Sequence, residues 1–453
     1  MLNVFDRFSC ESQDLLYSLQ RAGYMHPTIV LEPNGFLPDG VESPFLYFLG
    51  RPTGEKRGRF FNEILVPDFW EITGDASGGR ISYYGQEKAR IYYQDATHKR
   101  IVERVEWFHQ EGQVSTVDHY DQYGRKIAVT TCDGQGNPLL TTYFEEEMER
   151  LTENHQTGDL ILTLDHEPMR IFKNRLAFYV FYVQYRGFAL DQVLFNTLAQ
   201  SFALSLQLGK MGVVGRDVLV WQEPLQDSLP GNMQLILNSP EIRTKKIFIP
   251  QRETYRRALE LVSPEQKDCF APLGYIYDFA VKDDIRKDAF VLTNSDQIEA
   301  LPYLLEHLPD VTFRIAAVTE MSPELMSLVR YPNLVLYQNI SQKRIKELLH
   351  QSSIYLDINH FGEVQGIVRK AFEHQQLILG FEQTLHDPPY LAQENVFRQG
   401  EKDELVARIK EVYQSIEHYR HAVSNQIAQS NAIEQEEFRL RLRFQEGIGD
   451  RDV

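Results

Sequence analysis

The chain has 453 residues, 43% of them hydrophobic and 12% aromatic, with 47 basic against 64 acidic side chains for a net charge of −17. That length and apolar content suit about three domains with real cores and exclude bulk disorder, while the acidic balance argues against nucleic acid as a main partner. Three scattered cysteines, Cys10, Cys132 and Cys269, fit neither a disulfide framework nor a zinc site. They point to a reducing cytoplasm.

In chain order, the spacing predicts a strand near Asn3–Phe5, an amphipathic helix through Leu15, Leu16 and Leu19, and a strand at Thr28–Leu31. No basic segment followed by an apolar stretch marks a signal peptide at the N-terminus. The apolar run Leu176–Val183 is far too short to cross a bilayer and reads as a buried strand. A helix is then predicted over Val193–Leu208, with strands at Val218–Trp221, Leu235–Leu237 and Ile247–Ile249. Gly209, Gly212 and Gly215 mimic a phosphate loop but follow a helix, so they read as its termination.

Between these pieces, over 58–165, the period becomes that of strands. Gly112, Gly124 and Gly136 recur every twelve residues, with His109, Asp121 and Asp133 three positions ahead of each. A strand plus a tight turn whose glycine supplies positive φ fills that interval, so an antiparallel meander is predicted as an insertion. Its alternation places Tyr83, Tyr92, Trp107, Phe108, Tyr120 and Tyr143 on exposed or half-exposed faces. Trp107, Phe108, Tyr120 and Tyr143 are the candidates for docking a partner protein. Asp165-His166-Glu167 is expected in the return loop from the insertion.

The second half alternates more regularly. Strands are predicted at Ala289–Leu292, Phe313–Val318, Leu334–Tyr337, Ile354–Ile358 and Leu377–Phe381, separated by helical stripes such as Ile345, Leu348 and Leu349. Ser322-Pro323-Glu324 carries the cap, proline and acid of a helix start, and Asp296 is expected to cap another. Short βαβα repeats mean a doubly wound parallel sheet. The fold class is therefore α/β, with two Rossmann-like domains and the meander inserted in the first. The predicted domains are 1–57 with 166–265, then 58–165, 266–415, and a helix and tail over 416–453. In the tail, Arg439, Arg441 and Arg443 alternate with Leu440, Leu442 and Phe444. This reads first as a solvated end, and second as a contact for an anionic membrane surface.

Two such domains resemble the GT-B glycosyltransferases of the retaining, glycogen-synthase-like group. Three stretches resemble the GtfB family more specifically. They are VFDRFSCESQDLLYSLQRAGYMHPTIVLEPNGFLPDGVESPFLYFLG, FNEILVPDFWEI and VLTNSDQIEALPYLLEHLPDVTFRIAAVTEMSP. The resemblance implies a glycosyltransferase-stabilising subunit of the accessory Sec system that acts in the cytoplasm. Its partner would be the catalytic O-GlcNAc transferase GtfA, and it would bind serine-rich repeat polypeptide for Ser/Thr glycosylation before export. Active relatives of the GT-B group carry an Arg and a Lys after the first strand of the second domain. They also carry two glutamates eight positions apart that bind the donor sugar. Here no Lys or Arg lies between Asp288 and Phe313. In the second motif Gly362 and Lys370 stand where the glutamates would be, with Glu363 one position off. A diphosphate leaving group needs cations and free amides, so the expectation is a vestigial donor site without catalytic residues or cofactor. His360, Phe361, Gly362, Glu363 and Lys370 would contact the acceptor there. His360-x-x-Glu363 has no third ligand in view, and no metal is expected. The alternatives are an active retaining GT-B enzyme using UDP-N-acetylglucosamine and a stand-alone peptide- or glycan-binding protein.

Overall fold

A computed structural model describes residues 1–50, 57–75, 77–94, 99–282 and 285–443, with only the main chain of Arg443; Phe444 lies outside them. The chain forms two compact units, one built on residues 1–272 and one on 273–441.

The first unit holds a seven-stranded parallel sheet. Its spatial order is Phe270–Pro272, Thr244–Ile249, Asp217–Val220, Val193–Phe195, Leu2–Phe5, Thr28–Val30 and Val41–Glu42. Strands buried on both faces read as continuous apolar runs, which is why Leu2–Phe5 and Asp217–Val220 are buried throughout. Asp217 opens its strand fully buried. Its carboxylate accepts from Val193 N at 2.8 Å, Ser205 Oγ at 2.6 Å and Arg243 Nη2 at 2.8 Å. Burial pushes that carboxyl upward in pKa, against the pull of Arg243 and Ser205.

Three expectations are overturned around this sheet. Leu176–Val183 is not a strand; it lies in the helix Arg175–Tyr185, capped by the Asn174 side chain on Ala177 N at 2.9 Å. Phe178, Tyr179 and Tyr182 are all fully buried in the main core. A helix apolar nearly all round imitates a strand in sequence. Val193–Leu208 divides into the strand Val193–Phe195 and the helix Gln200–Lys210. The helix start is set from far away, because the Asp6 carboxylate accepts from Gln200 N at 2.9 Å and Ser201 N at 2.7 Å. Leu235–Leu237 lies in the helix Gly231–Asn238, which buries Met233 and Ile236 one turn apart.

The inserted sheet has ten antiparallel strands in strict chain order, from Glu71–Gly74 to Arg170–Phe172. Gly112, Gly124 and Gly136 take φ of 90°, 78° and 87°, as the twelve-residue interval requires. Asp121 and Asp133 fold back onto their own turns, accepting from Tyr123 N and Arg125 N, and from Gln135 N and Asn137 N. Ala128, Tyr143 and Leu151 on one face join the core of the parallel sheet's helices, while Ile81, Ile91 and Val105 form a smaller core farther out. Two of the aromatics expected on accessible faces are buried, Tyr120 at 6% and Tyr143 at 4% exposure. Asp165-His166-Glu167 is not past the sheet but in its final hairpin, where Asp165 accepts a bidentate pair from Arg150 at 2.7 and 2.8 Å.

The second unit has a six-stranded parallel sheet. Its order is Leu334–Tyr337, Thr312–Ala317, Asp288–Thr293, Ile354–Asp357, Leu377–Phe381 and Val396–Phe397. Asp288 repeats the device of Asp217: it accepts from Ser353 N at 3.0 Å across the strands and pairs with Arg314 at 3.0 Å. Ser322 caps its helix as expected, on Leu325 N at 3.1 Å. Asp296 does not cap; the next helix begins at Leu301, so the segment between is loop. Two Rossmann-like domains with an antiparallel sheet inserted in the first are the α/β, GT-B class expected from the sequence. Among the described residues no helix is long and apolar enough to cross a membrane.

Candidate functional site: the carboxyl end of the second sheet

In the second sheet the strand order reverses between Asp288–Thr293 and Ile354–Asp357. Ligands of doubly wound sheets sit at the carboxyl ends of strands at such a switch point. Here that place is formed by the loops 294–300 and 358–366.

The two loops are tied together. Buried Asn359 donates from Nδ2 to Asn294 Oδ1 at 3.2 Å and Phe361 O at 2.9 Å, and Asn294 Nδ2 donates to Gly362 O at 3.3 Å. Main-chain bonds from His360 N to Gln297 O and from Glu299 N to Ile358 O complete the link. Beneath them lies a residue pair that sequence reasoning missed. His386 faces Asp357 Oδ1 with Nδ1 at 2.5 Å and Phe361 O with Nε2 at 2.5 Å, while its main-chain N–H donates to Asp357 Oδ2 at 2.8 Å. Both acceptors can only accept, so the ring carries both protons. The hydrogen bond to Asp357 is the main cause raising its pKa, burial working against it. The available signal was an acidic residue ending an apolar parallel strand, IYLDI, where a buried carboxylate needs a partner.

The candidates from sequence divide between internal work and exposure. His360 Nε2 lies 2.7 Å from Glu299 Oε2. Glu363 Oε1 accepts from Val368 N at 2.8 Å and so occupies the first turn of the helix Ile367–Glu373. Lys370 folds back to donate to Gln365 O at 2.5 Å, and burial lowers its pKa, with Glu363 and Glu373 opposing. Phe361 is 53% exposed, and Gly362 has open space where a side chain would begin. The helix amide that would meet a phosphate is therefore taken by a carboxylate, and the nearby ammonium is turned to a carbonyl. The facing loop adds Asp296 and Glu299. This arrangement disfavours an anion and leaves an exposed phenyl ring flanked by hydrogen-bonding groups.

The meander candidates do not converge. Trp107 is half-buried and donates from Nε1 to Asp118 Oδ2 at 2.9 Å, and Phe108 is half-buried under the Arg90 guanidinium. Tyr120 lies under Arg59, and Tyr143 packs in the core with its ring centroid 5.2 Å from that of Phe45. The most exposed apolar groups of this region, Leu65, Phe69 and Tyr84, sit instead near the edge strand Glu71–Gly74, while Met169 and Ile171 are exposed at the opposite edge. The ring of Tyr84 meets Tyr83, which stacks on Trp70.

Four family models cover most of the chain. The GtfB N-terminal, middle and third domains match residues 2–48, 70–173 and 175–261, and the GftB/GlyA-F C-terminal domain matches 289–426. A Streptococcus gordonii protein, the UDP-N-acetylglucosamine–peptide N-acetylglucosaminyltransferase stabilizing protein GtfB, is 48% identical over 96% of both chains. The chain belongs to the GtfB family. The GtfB protein of Streptococcus pneumoniae serotype 4 is 46% identical over 96% of this chain and 97% of its own. A solved chain in a crystal structure of a GtfA/B complex bound to UDP and GlcNAc superposes with a TM-score of 0.95 at 47% identity, covering 99% of this chain and all of that one. The GtfB middle-domain match coincides with the ten-stranded sheet, Glu71 to Phe172.

Proposed function

We propose that the chain is a non-catalytic, glycosyltransferase-like subunit that stabilises and activates a GtfA-type O-GlcNAc transferase. In this reading it binds serine-rich repeat polypeptide for Ser/Thr glycosylation in the cytoplasm before accessory Sec export. The observation that carries the non-catalytic reading is Glu363 on the Val368 amide, with no cation left facing that point from the loop 294–300. The relatives' names and the GtfA/B complex support the partner. The partner docks on the outer edge of the ten-stranded sheet, where Phe69 and Tyr84 are exposed and Trp107 and Phe108 lie half-buried on the same sheet. The loop carrying His360, Phe361, Gly362 and Glu363, with Lys370 behind it, contacts the acceptor.

Transfer of N-acetylglucosamine from UDP-N-acetylglucosamine to a Ser-rich polypeptide tests this, run with the chain alone, the GtfA-type partner alone, and both. The expected result is transfer that needs the partner and rises when this chain is added. Transfer by the purified chain alone overturns the proposal in favour of an active retaining enzyme. Failure of the two to co-elute overturns the partnership in favour of a stand-alone binding protein.

A further inference from the structure

A pocket of 560 Å³ lies wholly within the first unit. That is within the roughly 300–1,000 Å³ usual for ligand sites. One wall is the loops that follow Leu2–Phe5 and Thr28–Val30, at the carboxyl ends of the parallel strands; the other is the inner face of the ten-stranded sheet. The walls are locked together. Gln122 N donates to Gly35 O and Gln122 Nε2 to Leu37 O, both at 2.9 Å, and a Cβ on Gly35 would stand 2.6 Å from Tyr120 O.

Across the floor runs a ladder from three successive strands to the turn that follows the fourth, Met148–Asn154. His119 Nε2 is 2.9 Å from Thr130 Oγ1, Thr130 Oγ1 is 2.8 Å from Thr141 Oγ1, and Thr141 Oγ1 is 2.7 Å from His155 Nε2. Each threonine hydroxyl has one proton and two lone pairs. Three bonds in a row use three of the four protons and three of the six lone pairs that the ladder carries with both rings neutral, whichever way they run. Neither imidazole Nδ1 has a hydrogen-bond partner among the described residues. Three acceptors and one donor are left for a ligand. Burial lowers the pKa of His119 and so favours the neutral ring, which keeps one ring nitrogen as an acceptor. The guanidiniums at the rim are spoken for: Arg7 by Glu32, Arg104 by Glu103 and Glu106, and Arg175 by Glu153. The pocket has no spare cation for a phosphate and no spare carboxylate pair for an ammonium.

From these groups the geometry points to a binding site for an uncharged, hydroxyl-rich polypeptide segment, whose main-chain N–H and Ser/Thr O–H groups the ladder accepts. The length fits. Three strand-to-strand steps of about 4.8 Å span roughly 14 Å, the reach of about four extended residues. A single sugar ring would cover less than half of the ladder. This rests on the acceptor reading above and deepens it by adding a site in the first unit.

The test uses the full chain, a Ser/Thr-rich synthetic peptide, the same peptide with Ala and Val in place of Ser and Thr, and free N-acetylglucosamine. Binding is read by ligand-observed NMR and calorimetry. The wild type is expected to prefer the Ser/Thr peptide. Thr130→Val with Thr141→Val, which keeps shape and removes both hydroxyls, is expected to weaken that peptide by about tenfold or more. His155→Ala, at an exposed end of the ladder, weakens it by several-fold. Thr142→Val, whose side chain points to the opposite face, leaves it unchanged. Undiminished binding in both ladder variants overturns the site while leaving the acceptor reading standing. No binding of the Ser/Thr peptide by the wild type overturns both. Binding of the free sugar without the peptide overturns the polypeptide assignment.

Discussion

His386→Ala is expected to weaken the second unit markedly. Asp357 has no exposed side-chain surface, and among the described residues its Oδ1 meets only the His386 ring; the His386 main-chain N–H on Oδ2 survives the substitution. Removing one member of a buried charge pair costs about 3–5 kcal/mol. The surviving amide and the partial exposure of His386 place this case near the lower end, about 3 kcal/mol. For a domain of this size that corresponds to a fall in melting temperature of about 6–12 °C. The sign of the pH dependence follows from the raised pKa of His386. The imidazolium holds Asp357 in the folded state, so its contribution is complete below the ordinary histidine value and is lost as pH rises through the folded one. Thermal unfolding of wild type, His386→Ala and His386→Gln across about pH 6 to 9 should show the wild type's advantage shrinking with rising pH. A variant melting within about 1 °C of wild type at the acid end, or a gap constant across the range, would refute the reasoning.

Arg243→Met leaves Asp217 buried without its cation and also strips Leu190 O and Val213 O of their donors. A loss of about 3–5 kcal/mol is expected in urea unfolding followed by the fluorescence of buried Trp221, and Asp217→Asn in the same background should recover part of it. Gly112→Ala and Gly124→Ala both impose a side chain on left-handed backbone. At Gly112 the space is open and the cost is about 1 kcal/mol, whereas at Gly124 a Cβ would stand 2.7 Å from Arg57 O and the cost should exceed about 2 kcal/mol. Equal melting temperatures for the two would refute the distinction. Glu363→Ala frees the Val368 amide and should cost about 1 kcal/mol. Calorimetry should still find no UDP binding, because no cation takes the vacated place; tight binding would show that the carboxylate alone blocks the site.

The doubly wound second half could be read almost strand by strand, because short apolar runs alternate there with helices apolar on one side only. The meander was equally open, since each twelve-residue interval contains its own turn and the three glycines adopt the conformation the spacing demands. The first half misled wherever burial was complete. Arg175–Tyr185 lost its helical period because Phe178, Tyr179 and Tyr182 are covered on one side and Phe181 and Leu176 are partly covered on another. The start of Gln200–Lys210 was invisible for a different reason. Its cap, Asp6, stands far away in the chain, and no local signature can report a cap supplied from the loop after another strand.

The same division explains the candidate site. A deficit of cations is a property of composition, so the segment from Asp288 to Phe313 showed it directly. What fills the deficit is a property of geometry. Glu363 looks in sequence like a displaced donor-sugar ligand, but its position one residue off the motif lets it reach the Val368 amide, so the departure from the motif and the closing of the anion position are one event. Lys370 looks like a replacement cation, yet it lies within reach of the Gln365 carbonyl and is drawn there. His386 supplies a positive charge near the loop, but its two ring protons are committed to Asp357 and Phe361 O. Two cations and one carboxylate thus stand close to where a diphosphate would sit, and each is held by a partner of its own. Restoring an anion site would therefore require undoing at least the Glu363 cap and the Lys370 contact together, and neither single substitution should be enough.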